Sequence, residues 1–333
     1  MNPLLTSDLM QPPRAADVLA ALDAMRPQLV RTPLLESPEI NARCGTRVIV
    51  KAEMLQHTGS YKFRGATNRL RLLTPEERKR GIVSYSTGNF AQSVAAAAAA
   101  LGVSAKIIVP HDTPKVKVDR TRDHGAELVF FDRTVPGQRE AMAQEIADAE
   151  GRTIIPPGND AAVLAGYGTT GAELLEQMPE PIAAILVPCS SGGLSSGITA
   201  CVSEFRPSTQ IFTVEPAGYD DVARSLAAGE RLSNAPTGKT ICDALTAPYP
   251  AVLPFEILKG RARGLVVSDA EVVAAMQVAF DYLHLVIEPG GAVALAAALQ
   301  GRVPVRGGPI VVIASGANID RSRFADILRG NLD

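Results

Sequence analysis

The sequence predicts an α/β protein of two doubly wound parallel sheets with a ligand cleft between them, and three observations predict it. From residue 81 onward, short apolar runs alternate with longer helix-like segments. The apolar runs are continuous rather than alternating, the pattern of strands covered on both faces. The unusual short motifs all follow directly after such runs, at the carboxyl ends where ligands collect in open α/β sheets.

The elements read off in order. GIVSYS (81–86) is a strand, and NFAQSVAAAAAALG (89–102) a helix stopped by Gly102, a favoured helix terminator. AKIIVP (105–110), ELVFF (127–131) and TIIP (153–156) are strands. The helices TPKVKVDRTRDHG (113–125) and PGQREAMAQEIADAEG (136–151) separate them. After Asp160 come a helix through GTTGAELLEQM (168–178), the strand AAILVP (183–188), a glycine turn and the helix LSSGITACVSEF (194–205). QIFTVEP (210–216) and PIVVIA (309–314) are further strands. Residues 220–262 hold several prolines and glycines without a clean period and are expected to be irregular.

Composition narrows the class. A chain of 333 residues with 46% hydrophobic and 20% charged residues is ordinary for a globular protein. The net charge of −2, from 33 basic and 35 acidic residues, gives no electrostatic reason to expect nucleic acid or a membrane surface. The alanine-rich stretch from Ala91 to Leu101 is broken by Gly102, Ser104 and Lys106, so it reads as a buried helix and not a membrane span. MNPLLTSDLM lacks the basic start and apolar core of a signal peptide. Cys44, Cys189, Cys201 and Cys242 show no Cys-x-x-Cys spacing, which argues against a zinc site or a disulfide framework and for a reducing cytoplasm.

Five stretches carry candidate chemistry. In HTGSYKFRGATNRL (57–70), Lys62 sits between Tyr61 and Phe63, with Gly59 and Gly65 leaving room for a close approach. Lys62 is either an ordinary loop lysine or a nucleophile whose pKa is lowered by desolvation and by cations such as Arg64. SYSTGNFAQ (84–92) joins a strand to a helix, so the amides of Thr87, Gly88, Asn89 and Phe90 suit a carboxylate; an N-cap by Ser86 or Asn89 is the alternative. VPCSSGGLSSG (187–197) repeats that geometry, and Ser190, Ser191, Gly192 and Gly193 either wrap a phosphate or make a plain tight turn. VIASGANID (312–320) ends a strand at Ser315, a neutral hydroxyl at the cleft. VEPAGYDD (214–221) is either a solvated acidic turn or a set of oxygen ligands for a hard cation. One lysine, a carboxylate site, a phosphate site and a neutral partner together fit a cofactor with an aldehyde and a phosphate, which describes pyridoxal 5′-phosphate.

With these loops assembled, the chain resembles the pyridoxal-phosphate enzymes of fold type II (tryptophan synthase β-like), and most of all their serine/threonine dehydratase and serine racemase branch. TGSYKFRGA resembles the family's T-G-S-F-K-x-R-G-A, which implies that Lys62 carries the cofactor as a Schiff base. STGNFAQ resembles S-S-G-N-H-x-Q, implying that Asn89 bonds the cofactor's ring hydroxyl while Ser86, Thr87, Gly88 and Phe90 surround the substrate carboxylate. SSGGL resembles the tetraglycine phosphate loop, implying Ser190, Ser191, Gly192, Gly193 and Leu194 as its cradle. SGANID implies that Ser315 faces the pyridine nitrogen, and IEPGGA, with Glu288, completes the set. VEPAGYDD resembles the family's divalent-cation site, implying Glu215, Asp221 and the Tyr219 carbonyl as ligands for magnesium or a similar ion.

The branch implies β-elimination from a β-hydroxy-L-amino acid to a 2-oxo acid and ammonia, with Lys62 as general base. Thr87 stands where racemases of the branch carry a serine, so amino-acid racemisation is the alternative. Phe90 replaces the usual histidine, which favours an apolar β-substituent over a β-carboxylate, and Ala244 replaces a glycine near the cofactor. Phe63, Arg64 and Gly65 after the lysine disfavour a β-replacement enzyme. The resemblance also implies a large domain of residues 1–75 and 160–333, a small mobile domain of residues 76–159, and a homodimer.

Overall fold

The protein was analysed as a computed structural model that describes residues 11–86, 88–132, 134–135, 137–235, 238–303 and 308–331. Among these residues ten strands form two sheets. In chain order they are β1 (Leu34–Leu35), β2 (Val48–Ala52), β3 (Ile82–Tyr85), β4 (Ala105–Pro110), β5 (Glu127–Phe131), β6 (Thr153–Ile155), β7 (Ala184–Pro188), β8 (Gln210–Pro216), β9 (Ala262–Val267) and β10 (Ile310–Ala314). The larger sheet runs β1-β2-β10-β7-β8-β9 and the smaller β5-β4-β3-β6. All pairings are parallel except that of the edge strand β1 with β2. The continuous apolar runs behave as expected: every residue of β2, β7 and β10 is buried, because helices cover both faces.

One apolar cluster fills the space between the sheets. It joins Ile107 and Val109 of the smaller sheet to Ile185, Val187 and Ile313 of the larger, through Phe63, Phe90, Val163 and Tyr167 on intervening helices. Separate clusters lie on the outer face of each sheet. The middle layer packs closely because small residues meet there. A Cβ on Gly166 would come within 2.6 Å of the Arg64 carbonyl oxygen and 2.7 Å of the Gly65 Cα, so the helices Lys62–Arg71 and Ala161–Gln177 touch backbone to backbone.

Two expectations need correction. Residues 220–262 are less irregular than their composition suggests: they contain the helices Asp221–Ala228 and Val252–Leu258 and a 3-10 turn at Asp243–Leu245. The first helix is capped from a distance, its Val222 and Ala223 amides donating to the Glu215 carboxylate at 3.1 and 2.7 Å, and no local sequence signal announces that. The helix read as 168–178 begins at Ala161 instead, where Asp160 accepts the Val163 amide at 3.0 Å and pairs with Arg69 at 2.8 Å.

Beneath the turn before the helix Lys62–Arg71 lies a buried charge network. The Arg64 guanidinium donates to both Glu53 oxygens at 2.7 and 2.8 Å and to Glu173 Oε1 at 3.1 Å. Lys51 Nζ, from β2, donates to Glu173 at 2.5 Å and to the Thr32 carbonyl at 2.8 Å. None of the four charged side chains is more than 4% exposed. Burial works against the Glu53 charge, yet Arg64 and Lys51 hold its carboxyl below the usual carboxylate range. Glu173→Gln leaves two buried cations facing Glu53 alone. It is expected to lower unfolding stability by about 3–5 kcal/mol, read by chemical denaturation; a loss of under about 1 kcal/mol would show the network to be dispensable.

Candidate active site

The carboxyl ends of β3, β7 and β10 open onto one cavity of about 150 Å³. Its lining includes Lys62, Ser86, Asn89, Phe90, Ser190, Ser191, Gly193, Leu194 and Ser315, so loops far apart in sequence meet at one place. Thr87 lies outside the described residues.

Lys62 is the first residue of its helix, directly after a turn in which Thr58 and Gly59 both take left-handed backbone angles. The end of β10 ties that turn down. The Tyr61 amide donates to the Ser315 carbonyl at 3.2 Å and the Ala317 amide to the Gly59 carbonyl at 2.9 Å. Lys62 Nζ lies 4.9 Å from the Tyr61 ring centre, 5.0 Å from Tyr167 and 5.9 Å from Phe90. Gly65 makes room for this arrangement, since a Cβ there would strike the Tyr167 ring. Burial lowers the Lys62 pKa to about 8, with the negative charge of Glu288 acting the other way. The expectation that Arg64 lowers it is not met, because Arg64 turns away into its carboxylates.

Asn89 is held at both ends of its amide. Its Nδ2 donates to Glu288 Oε1 at 2.6 Å, and its Oδ1 accepts from Asn318 Nδ2 at 3.0 Å. Ser86 Oγ accepts the Gly88 amide at 3.3 Å. Phe90 is 1% exposed, belongs to the central apolar cluster and also lines the cavity, so its ring helps desolvate Lys62.

The opposite wall has the donors to hold an anion. The helix Gly193–Phe205 starts without a side-chain cap, after Gly192 at φ +97°, which leaves its first amides as free donors. Ser190 Oγ accepts the Ala247 amide at 3.3 Å, which draws the 244–247 segment against the cavity. These donors and a desolvated amine in one cavity fit a phosphorylated aldehyde. Ala244 lines the cavity beside them.

The acidic pair of the 214–221 stretch sits apart from the cavity. Glu215 and Asp221 are 0% and 1% exposed, and Asp221 Oδ2 has no partner among the described residues. Burial, with the charge of Asp221 nearby, raises the Glu215 pKa well above normal; burial also raises that of Asp221 to about 6. The Tyr219 hydroxyl donates to the Gly238 carbonyl at 3.0 Å. Among the described residues no group of three or more His, Cys, Asp and Glu could hold a metal.

Sequence reasoning missed two cavity cations, Lys117 and Arg139. The helix Lys115–Asp123 buries Lys117 and Thr121, four residues apart, so a polar pair occupies the face where apolar residues are usual. That spacing was the available signal. Arg139 had none.

A model of the family described as pyridoxal-phosphate dependent enzyme matches residues 25–316. The chain is 36% identical to a serine racemase of Schizosaccharomyces pombe, covering 97% of this chain and 99% of that one. It is likewise 36% identical to an L-threo-3-hydroxyaspartate ammonia-lyase of a Pseudomonas species, over 94% and 98% of the two chains. Among solved structures, maize serine racemase superposes with a TM-score of 0.90 at 33% identity, covering 96% of this chain and 98% of that one.

A Lys62 amine of pKa about 8 is protonated below that pH and free above it. Capture of pyridoxal phosphate by the cofactor-free protein, followed by absorbance, is therefore expected to reach half its maximal rate near pH 8. A midpoint near the ordinary lysine value of about 10.4 would show that the amine is not desolvated.

Proposed function

The chain belongs to the family of pyridoxal-phosphate dependent enzymes, and from that premise we propose that it is a lyase that releases ammonia and a 2-oxo acid from a β-hydroxy-L-amino acid. The observation that carries this is the Lys62 amine: it is desolvated, and it shares one cavity with an anion cradle and a neutral serine. The names of relatives, among them L-threo-3-hydroxyaspartate ammonia-lyase, support the lyase reading.

Pyridoxal phosphate, when bound, supplies the electron sink that lets a proton leave the α-carbon. The residues proposed to hold it are Lys62 at its aldehyde, Asn89 at its ring hydroxyl and Ser190, Ser191, Gly192, Gly193 and Leu194 at its phosphate. Ser315, in the same cavity, is proposed to face the pyridine nitrogen. A hydroxyl there is neutral and would not fix a proton on the ring nitrogen as a carboxylate would, which would favour prompt loss of the β-hydroxyl over side reactions. Ser86, Thr87, Gly88, Asn89 and Phe90 are proposed to receive the substrate carboxylate at the start of the helix Asn89–Ala100. Lys62, freed from the aldehyde as the substrate's own amine takes its place, would then act as general base at the α-carbon, a role suited to an amine of pKa about 8.

Residues 76–159, which contain all four strands of the smaller sheet, are proposed as a small domain closing on residues 1–75 and 160–333. Glu215, Asp221 and the Tyr219 carbonyl are proposed to hold a divalent cation, which would relieve two adjacent buried carboxylates. The proposal includes a homodimer in the cytoplasm; among the described residues no helix is long and apolar enough to cross a membrane.

Racemisation is the second reading, favoured by relatives named serine racemase. The two separate by product: a 2-oxo acid for the lyase, the mirror-image amino acid for the racemase. The β-group also has two readings. Phe90 favours an apolar group, whereas Arg139, which borders the cavity with its Nε on neighbouring Glu140 at 2.7 Å and its guanidinium 5.5 Å from the Tyr85 ring centre, favours a second carboxylate.

Purified holoenzyme is expected to release 2-oxo acid and ammonia from one or two of L-serine, the L-threonine diastereomers, 3-hydroxyaspartate and phenylserine. Lys62→Ala is expected to lower that rate by more than about a thousandfold. Release from none of the panel would end the lyase reading. Arg139→Gln is expected to lower kcat/KM for 3-hydroxyaspartate by about 10- to 100-fold while sparing threonine. An equal effect on both substrates would remove Arg139 from specificity.

A further inference from the structure

We infer that Lys117 is a positioning residue of this site, holding Glu288 as the carboxylate that orients the Asn89 amide and faces Lys62. The inference rests on the reading of Lys62 as the cofactor-bearing amine and extends it to groups outside the quoted motifs.

The path of the Lys117 side chain is the first observation. Lys117 is carried by the helix Lys115–Asp123 of the smaller-sheet region and is 1% exposed. Its stem passes directly over Gly88, where φ is +142°. A Cβ there would lie 3.2 Å from Lys117 Cγ and closer still to Cδ. Gly88 therefore does more than shape the anion loop: it leaves the passage through which an ammonium reaches the cavity wall.

The destination is the second. Lys117 Nζ donates to Asp243 Oδ2 at 2.7 Å and lies 3.3 Å from Glu288 Oε2. The two carboxylates are not equivalent. Asp243 keeps a side chain 42% exposed, so water also supports its charge. Glu288 is 2% exposed; its Oε2 accepts no hydrogen bond among the described residues, and the Lys117 ammonium at 3.3 Å is the cation that faces it. Burial pushes the Glu288 pKa up and Lys117 pulls it back, with Asp243 adding to the rise. For Lys117 burial acts downward, and the charges of Glu288 and Asp243 outweigh it, so its pKa is raised. The ionised groups facing Glu288 are thus Lys117, Asp243 and Lys62, and the Tyr61 and Cys242 side chains feel its charge.

The third observation is what Glu288 does with that charge. Its Oε1 accepts from Asn89 Nδ2, while Asn318 donates to the other end of the same amide. An ionised carboxylate only accepts, so it fixes which end of Asn89 faces it; a protonated one would also donate and lose that discrimination. The same charge supports the ammonium form of Lys62 against burial. Removing Lys117 should let Glu288 take up a proton, and both effects on the site should then fade together.

The test uses cofactor-free, full-length protein and the pH dependence of its capture of pyridoxal phosphate, without any turnover. Wild type, Lys117→Met, Glu288→Gln and the double variant are compared. Methionine keeps an unbranched stem in the Gly88 passage and removes the charge. Lys117→Met and Glu288→Gln are each expected to move the midpoint to lower pH by about one unit, a tenfold change in proton affinity. The double variant is expected to move it no further than Glu288→Gln alone. Lys117→Arg, which keeps the charge, is expected to retain the wild-type midpoint. A raised midpoint in Lys117→Met would mean that Glu288 stays ionised without Lys117, and would overturn the inference. An unchanged midpoint, or additive shifts in the double variant, would do the same. If Lys117→Met does not fold, Lys117→Gln takes its place with the same expected and overturning results, and an unshifted midpoint in Glu288→Gln by itself removes the carboxylate from the scheme. A wild type that captures no pyridoxal phosphate would sink the premise, whereas a wild type that captures it but eliminates nothing would sink only the lyase reading.

Discussion

The feature on which the rest depends is the buried quartet of Lys51, Glu53, Arg64 and Glu173. Four charges without solvent are costly to assemble, and the cost is offset only if every partner is in place. The arrangement therefore has one geometry: the Arg64 fork spans Glu53 and Glu173, and Lys51 closes the set from β2. Arg64 lies two residues past Lys62 on the same helix. Fixing its guanidinium fixes the start of that helix, and with it the direction in which the Lys62 amine leaves the backbone. The quartet balances its own charge, so it positions Lys62 without contributing a field that would retune it.

The cavity inherits its accuracy from this anchor and from the end of β10. Backbone bonds between the Thr58–Tyr61 turn and Ser315–Ala317 set Ser315 beside the lysine. The aromatic rings of Tyr61, Tyr167 and Phe90 then exclude solvent from the amine, which is the physical origin of its lowered pKa. Polar contacts join the two sheet regions across the cleft: Asn89 to Glu288, Lys117 to Asp243 and Arg120 to Asn318. Such contacts can be exchanged for water more readily than apolar packing can, so under the proposed closure of residues 76–159 this seam would be the line of opening. The apolar cluster shared by both sheets lies behind it and ties the two regions together.

Much of this was legible in the chain itself. Strand and helix alternation from residue 81 to 216 was readable because each element is short, apolar or periodic, and bounded by glycine or proline. The candidate site was readable where its residues sit in loops that follow strands, as with Ser190 and Ser315, or open the helix after such a loop, as with Lys62 and Asn89. What escaped notice had long-range causes. The helix Asp221–Ala228 takes its cap from Glu215 on β8, and the helix Ala161–Gln177 is secured through the pairing of Asp160 with Arg69. Arg64 was misjudged for the same reason: a cation next to a lysine in sequence is its neighbour electrostatically only if nothing else claims it.

The sequence by itself determined the fold class, the family and the candidate for the reactive amine, because those depend on periodicity and on contiguous motifs whose geometry is local. Tertiary structure alone decided which charges reach the amine. Glu288, Lys117 and Arg139 converge on the cavity from separate helices and loops, across gaps left by residues such as Gly88. Electrostatic influence follows distance and burial, not order along the chain, and both come into being only when the chain is folded.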